Sequence, residues 1–515
     1  MTSQTVRLDS HKPLAALIAA AFALAPAQAA FAATYTVTSC ADDNGSGTLR
    51  SIIKNMAGDN DIVDTGQLTC ATITLTQGQI EVPQPNLSIE HKYHKGFQPT
   101  TTIMSNAGVG NFAPGRLLHH TGGGTLAIAG ITLSAGVQQD LSGAANGGCI
   151  YSKGSVSLTS VSLSECLAIG LSVRGGAIYA AGSVSMSESS ISITYAGGGT
   201  ARGGAIDVGG SITLAHSSVS GSYTRSQTSA FGGAIVAQYG AVTLTDSVVT
   251  GNRLKNEASA ARGAGIFATG GLTLTRSTVS YNSAVGTASD MFGRGQGGGA
   301  FAAGPIAISA SVIDHNSAYY AGGLYLGSVS PVTISDSTIA DNSAQNSAGG
   351  IRTTSSMTLL NSTVAFNHAP IGGGIVFDTL SKAATLGLQS SILADNVATD
   401  NPQGADLLVA GSQFSATAAN NLVISANVVL PGNPLLACPR LEPLASNGGP
   451  TRTLSLMHDS PAVDTGNNNA SLQYDQRDSG FARVFGPAAD MGAYEWQGTI
   501  DERIFHAGFE PGCDE

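Results

Sequence analysis

Short alternations of apolar and small polar residues run through most of the chain. Ala241-Val-Thr-Leu-Thr245, Gly271-Leu-Thr-Leu-Thr275 and Pro331-Val-Thr-Ile-Ser335 place an apolar residue at every second position. A shorter alternation follows each one: Ser247-Val-Val-Thr250, Ser277-Thr-Val-Ser280 and Ser337-Thr-Ile-Ala340. Period two marks a strand with one buried face. Ahead of each pair stands Gly-Gly-x-apolar or a close variant, starting at Gly147, Gly175, Gly203, Gly232, Gly263, Gly298, Gly322, Gly349 and Gly372. Successive starts differ by 28, 28, 29, 31, 35, 24, 27 and 23 residues. Three short strands per unit, with no helical stretch between them, predict an all-β fold. The expected architecture is a right-handed parallel β-helix, a solenoid with three short strands per coil.

One coil cannot bury its own apolar side chains, whereas coils stacked about 4.8 Å apart bury a continuous column. Most units close the third strand with Asn, at Asn252, Asn282, Asn316, Asn342, Asn367 and Asn396. In stacked turns these amides are expected to hydrogen-bond from coil to coil. The Gly pair supplies positive φ or close backbone approach at another corner. The expected organisation is a signal segment at 1–32, a cap and first coils at 33–120, and central repeats at 121–400. C-terminal coils and a closing segment follow at 401–497, and an acidic tail at 498–515.

Composition agrees with this picture. The 515 residues include 66 Gly but only 11% charged residues, as a neutral repetitive rod requires. Low charge argues against disorder, and glycines without a three-residue period exclude collagen. With 34 acids against 23 Lys plus Arg, the chain is not a basic nucleic-acid binder. The net charge of −11 is unevenly spread. From Leu441 to Glu515 there are 12 acids and 4 bases, a net of −8, which leaves −3 for the rest.

Arg7 and Lys12, the apolar stretch Pro13–Ala25 and two small-x-small sites, Ala27-Gln28-Ala29 and the preferred Ala30-Phe31-Ala32, read as a secretory signal. Six cysteines beyond that site fit an oxidising compartment. Six cysteines allow 15 connectivities, and sequence neighbours pair as Cys40–Cys70, Cys149–Cys166 and Cys438–Cys513. No transmembrane segment is expected once the signal is removed, and oligomeric state is not readable.

Three regions carry a family resemblance. Asp43-Asn-Gly-Ser-Gly-Thr-Leu-Arg50-Ser-Ile-Ile, with Gly58-Asp59 and Ala71-Thr-Ile-Thr-Leu-Thr76, resembles the N-terminal cap of secreted bacterial β-helix proteins. There a short helix, here Leu49–Met56, covers the open end of the column. The GGAI repeats resemble those of polymorphic outer-membrane proteins, without their FxxN companion and without a following barrel. Leu441-Glu-Pro-Leu-Ala-Ser-Asn-Gly-Gly-Pro450, Asp459-Ser-Pro-Ala-Val-Asp-Thr-Gly466, Asp475-Gln-Arg477 and Asp490-Met-Gly-Ala-Tyr-Glu495 resemble the choice-of-anchor Q domain. These resemblances imply an exported, surface-associated protein and name no reaction.

Candidate chemistry lies in the long segments between third strand and Gly pair. Stacked at one corner, Thr194–Arg202, Ser222–Phe231, Arg253–Arg262 and Ser283–Gln296 would form a raised lip. Arg174, Arg202 and Arg262 precede their Gly pairs, with Phe231 in the intervening coil, and Arg225 stands in the lip. Tyr151, Tyr179, Asp207 and Phe267 follow the repeat's Ile on the outward parity. One reading is a groove in which Arg holds carboxylate or sulfate and aromatic rings stack on sugars. The other is that each Arg pairs with a nearby carboxylate or caps a turn. The expected partner is an extracellular polysaccharide or cell-surface component, bound in an adhesin-like manner. The alternative function is a polysaccharide lyase or hydrolase acting on an acidic, uronate-containing glycan, with Tyr223 and Lys255 as base candidates. No metal site or cofactor is expected. Calcium would call for a β-roll nonapeptide, which is missing, and Asp464, Asp475 and Asp478 read as turn-forming and capping residues.

Overall fold

Ile150, Ile178, Ile206, Ile235 and Ile266 pair directly with one another from coil to coil. The column continues without a slip through Ala300, Leu324, Ile351 and Ile375. The computed structural model describes residues 32–498 except 94–99, 107–114, 259, 287–293, 328–330 and 381. All but the last residue of the expected signal segment, and all but the first of the acidic tail, lie outside that span. The chain is a right-handed parallel β-helix of about 13 turns.

A typical coil runs Ile206–Val208, Ile212–Ala215, Ser218–Ser220 and Tyr223–Phe231. Like strands of successive coils stack in register into parallel sheets of 12, 14, 13 and 11 strands. The first three are the expected faces of the prism, and their inward Ile, Leu and Val form one continuous core. The fourth corrects the expectation of three strands per coil. The segments read as loops are themselves stacked strands, here called the fin. Each fin segment leaves the prism and returns: Thr224 Oγ1 on the outgoing leg donates to the carbonyls of Gly232 and Gly233 at 3.0 and 3.2 Å. The seam between legs is filled by small side chains, with Ala168, Val173, Ala196 and Ala201 in one cluster. Ala230, Leu254 and Ala261 form the next.

Two corner devices behave as expected. Asn252, Asn282, Asn316, Asn342 and Asn367 each donate Nδ2 to the Oδ1 of the next Asn at 2.9–3.0 Å. Asn396 ends the ladder on Asp406 Oδ1 at 2.8 Å. At the Gly pair, Gly203 has φ 62°, and a Cβ there would lie 2.3 Å from the Ile206 carbonyl oxygen.

Helix α1 (Leu49–Asn55) is capped by Thr48, whose Oγ1 accepts from Ser51 N at 3.2 Å. It buries Leu49, Ile52 and Ile53 over the open end of the column. Disulfides join Cys40 to Cys70 and Cys149 to Cys166, with Cα separations of 6.4 and 5.4 Å. Cys513, the expected partner of Cys438, lies outside the described residues. Among the described residues no helix is long and apolar enough to cross a membrane.

After the last coil the chain turns back and packs sideways on the third sheet. Leu441, Leu454, Leu456, Ala462 and Met491 bury against Ala340, Ala365, Ile392, Ala394 and Leu422. The rod prepares this face in its sequence. Outward positions are half-buried serines in Ser190–Ser192 and Ser218–Ser220, but become buried Thr and Ala in Thr338–Ala340 and Thr363–Ala365. The closing segment is pinned by charge. Arg452 pairs with buried Asp314, Arg477 with Asp475 at 2.6 Å, and Arg483 with Glu495 at 2.8 Å. Arg483 also lies 3.5 Å from Asp336 of the rod.

Candidate functional site

Two columns of side chains run along the rod on either side of the Gly-pair corner. On the returning leg of the fin, Arg174, Arg202, Phe231 and Arg262 follow one another. Gln296, Tyr320 and Ser347 continue that column. On the facing sheet, Tyr151, Tyr179, Asp207, Val236, Phe267, Phe301, Tyr325 and Arg352 occupy the outward position of consecutive strands. Within a coil the two members are five residues apart, and the Gly pair turns the chain between them. The fin wall and the sheet therefore meet in a lengthwise groove.

At its head, two arginines share one carboxylate. Arg174 Nη2 donates to Asp207 Oδ1 and Arg202 Nε to Asp207 Oδ2, both at 2.9 Å. Asp207 is fully buried beneath them. Burial raises its pKa, an effect only partly offset by the two guanidiniums. Burial also opposes the charge on Arg174, but Asp207 outweighs this and holds the guanidinium above its ordinary pKa. Arg174 further donates to the Tyr179 hydroxyl at 3.1 Å and lies 4.6 Å above that ring, while Arg202 reaches Gln238 Oε1. Each arginine thus pairs with a carboxylate, and the trio still carries a net charge of +1. Arg174 Nε and Arg202 Nη2 are left without a hydrogen-bond partner.

The aromatic column differs from the expected sugar platform. Phe267, Phe301 and Tyr325 stack face to face, with centroids 5.4 and 5.0 Å apart and planes within 14° of parallel. Their faces are occupied by one another, because strand spacing sets the ring spacing. What the groove receives is ring edges and the Tyr325 and Tyr179 hydroxyls.

Beyond the trio the groove deepens twice. A depression of about 230 Å³ is lined by Arg202, Phe231, Gln238, Tyr239, Phe267 and Thr269. A second, of about 250 Å³, is lined by Gln296, Tyr320, Tyr325, Asn346, Ser347, Arg352 and Ile371. Arg262 stands between them, with Nε on Gln296 Oε1 at 3.1 Å and its guanidinium carbon 5.4 Å from the Phe301 ring centre. Arg352 pairs with Asp378 at 2.8 Å.

Sequence reasoning placed Arg174, Arg202, Arg262, Tyr179, Asp207 and Phe231 in one locus, and the structure brings these six together. Tyr223, Lys255 and Arg225 are elsewhere. All three belong to the outgoing leg of the fin, with the buried seam between them and the groove. Tyr223 packs on Tyr195 at 5.6 Å and under Arg253, while Arg225 and Lys255 both reach Glu257, at 2.7 and 3.7 Å. Gln238, Tyr239, Phe301, Tyr325, Tyr320 and Arg352 were not singled out. The outward parity that gave Phe267 extends to Phe301, Tyr325 and Arg352, so three were within reach of the repeat. Gln238 and Tyr239 sit in a turn with no periodic signal. Among the described residues no group of three or more His, Cys, Asp or Glu is placed to hold a metal ion.

No protein-family model and no curated protein matches the sequence. Among solved structures, the crystal structure of the pectate lyase Pel9A aligns over 90% of this chain and 97% of its own. The two are 12% identical over that alignment, with a TM-score of 0.32.

Proposed function

We propose that this is an exported, surface-associated β-helix protein that binds an extracellular glycan along the groove between the fin and the Gly-pair sheet. The observation that carries the reading is the Arg174–Asp207–Arg202 trio. It keeps a net positive charge on two partly exposed guanidiniums at the groove of a chain whose overall charge is −11. A partly exposed guanidinium binds carboxylate or sulfate through charge-assisted hydrogen bonds. The rod offers an extended surface suited to an extended polymer. Export is supported by the two disulfides, which persist in oxidising compartments. We read the closing segment as choice-of-anchor Q-like and the repeats as akin to those of polymorphic outer-membrane proteins. In support, Asp475, Arg477, Asp490 and Glu495 of the quoted motif are all buried in the segment's ion network.

Retention of the purified protein on an array of acidic and neutral polysaccharides tests binding. Acidic glycans should hold the protein. The Arg262→Gln, Arg352→Gln double variant, which leaves the trio intact, should be held less at an unchanged melting temperature. Equal retention of both proteins would remove the groove from the account. Release of unsaturated uronates from any of these polymers would replace binding by cleavage.

A further inference from the structure

Two sites of net positive charge lie along the groove, and two aromatic rings stand in the depression between them. Arg174 and Arg202, in adjacent coils, converge on Asp207. The next cation in the fin column, Arg262, stands two coils further on, after Phe231. Its described partners are the amide of Gln296 and the Phe301 ring, and among the described residues it forms no ion pair. Two to three coils at about 4.8 Å each put these charges about 10–14 Å apart. Between them lies the depression of about 230 Å³ with Phe231 and Phe267 as its apolar floor. Gln238, Thr269 and Tyr239 offer neutral polar groups at its rim. Tyr239 is 76% exposed and therefore available to a ligand.

Arg202 also lines this depression, but its Nε and Nη1 are engaged by Asp207 and Gln238 and its Nη2 is buried. An anionic group over Phe231 and Phe267 would therefore lose water for little return, which is costly. A neutral unit there would keep its hydroxyls on the amide and hydroxyl rim. We infer that the groove selects an acidic polysaccharide whose charged sugars alternate with neutral ones. The acid groups of such a chain fall on the Arg174–Arg202 trio and on Arg262, and the neutral sugar between them enters the Phe231–Phe267 depression. This rests on the glycan-binding reading above and adds the charge pattern of the chain. The same motif recurs between Arg262 and Arg352, but there Asp378 compensates the second guanidinium. Arg352 consequently contributes less than Arg262.

Binding is measured by calorimetry with three soluble probes: hyaluronan, in which one sugar in two is acidic, polygalacturonate, in which every sugar is acidic, and neutral dextran. Hyaluronan should bind at least ten-fold more tightly than polygalacturonate. Arg262→Gln should weaken hyaluronan roughly ten-fold, and Arg352→Gln by less. Phe231→Asp, a charge at the apolar floor, should remove the preference between the two acidic polymers. Its melting temperature, compared with that of Phe231→Ser, separates this effect from misfolding. Polygalacturonate bound as tightly as hyaluronan would overturn the alternating pattern while leaving glycan binding intact. Binding of none of the three, together with silence on the array, would overturn both.

Discussion

Arg202 Nε donates to Asp207 Oδ2 at 2.9 Å across the corner made by Gly203 and Gly204. The ion pair therefore bridges the fin and the neighbouring sheet within one coil, while Arg174 reaches the same carboxylate from the coil before. Removing Asp207 would strand two guanidiniums in adjacent coils. Breaking a buried pair by deleting one partner costs about 3–5 kcal/mol. Asp207→Ala should lower the denaturant midpoint accordingly, with Asp207→Asn intermediate. An Asp207→Ala protein that unfolds at the wild-type midpoint would mean that the trio adds nothing to coil stacking.

The Gly pair makes a second, local prediction. Gly203 combines φ 62° with a hypothetical Cβ only 2.3 Å from a backbone oxygen. Ala348 has φ 63° at the equivalent corner of a later coil, where the native residue already carries a Cβ. Gly203→Ala should therefore cost about 1–3 kcal/mol through strain, whereas Ala348→Gly should cost less than 1 kcal/mol. Chemical denaturation of the two single variants reads the difference directly. Similar losses in both would show that corner position, not steric room, sets the cost.

The asparagine ladder should behave as a chain. Asn316 donates Nδ2 to Asn342 Oδ1 at 3.0 Å and to the Val279 carbonyl at 2.8 Å, and its own Oδ1 accepts from Asn282. Asn316→Ala leaves buried donors and acceptors on both sides without partners, at about 1–3 kcal/mol for each such group. Asn316→Ala and Asn342→Ala should be strongly non-additive, since each breaks the bond the other makes. A double-mutant cycle that sums the single losses would refute the coupling.

Much of this was legible because stacking turns one coil's pattern into a column. The Gly pairs, the Asn turn and the alternating strands each recur at one place per coil, so period alone gave the prism and its ladder. The fin was not read as strands. Its legs are held by coil-to-coil pairing and by alanines such as Ala196 and Ala201, and Tyr-Ala-Gly-Gly-Gly-Thr-Ala-Arg has no apolar alternation to reveal that. For the site, position was legible and chemistry was not. Spacing placed Arg174, Arg202 and Asp207 together, but that Asp207 would be fully buried depends on the two arginines covering it. Stacked rings present edges rather than faces because side chains of adjacent coils meet at strand spacing, a relation between coils that no single repeat displays. The lateral docking of the closing segment has its sequence cue in the change of outward residues from Ser to Thr and Ala.

The docking of that segment should strengthen on mild acidification. Asp336, Asp490 and Glu495 gather around the single cation Arg483: Asp336 and Glu495 pair with it, and Asp490 N donates to Glu495 Oε2 at 2.8 Å. Burial pushes Asp336 and Glu495 up to about 7 and Asp490 up to about 6, further than Arg483 can offset. A carboxyl whose pKa is raised by folding binds more protons in the folded state across the window between its unfolded and folded values. Stability therefore falls as pH rises from about 4 to about 7, and is regained in full only on returning to about 4. Asp42 and Asp246 oppose this at lower pH. Both are held below their ordinary pKa: burial works against this in Asp42 but is outweighed by Arg50 and backbone donors, and in Asp246 the Arg276 hydrogen bond dominates. Their stabilisation is present above the unfolded pKa of about 3.9 and is lost as pH falls through the lower folded values. The melting temperature should accordingly pass through a maximum near pH 4, where the two effects cross. Limited proteolysis should cut the closing segment faster at pH 7.5 than at pH 5.5, with a protease of equal activity at both. The Glu495→Gln variant, neutral throughout, should flatten the upper half of that profile. A melting temperature that climbs steadily from pH 5 to pH 8 would mean that Arg483 keeps all three carboxylates charged.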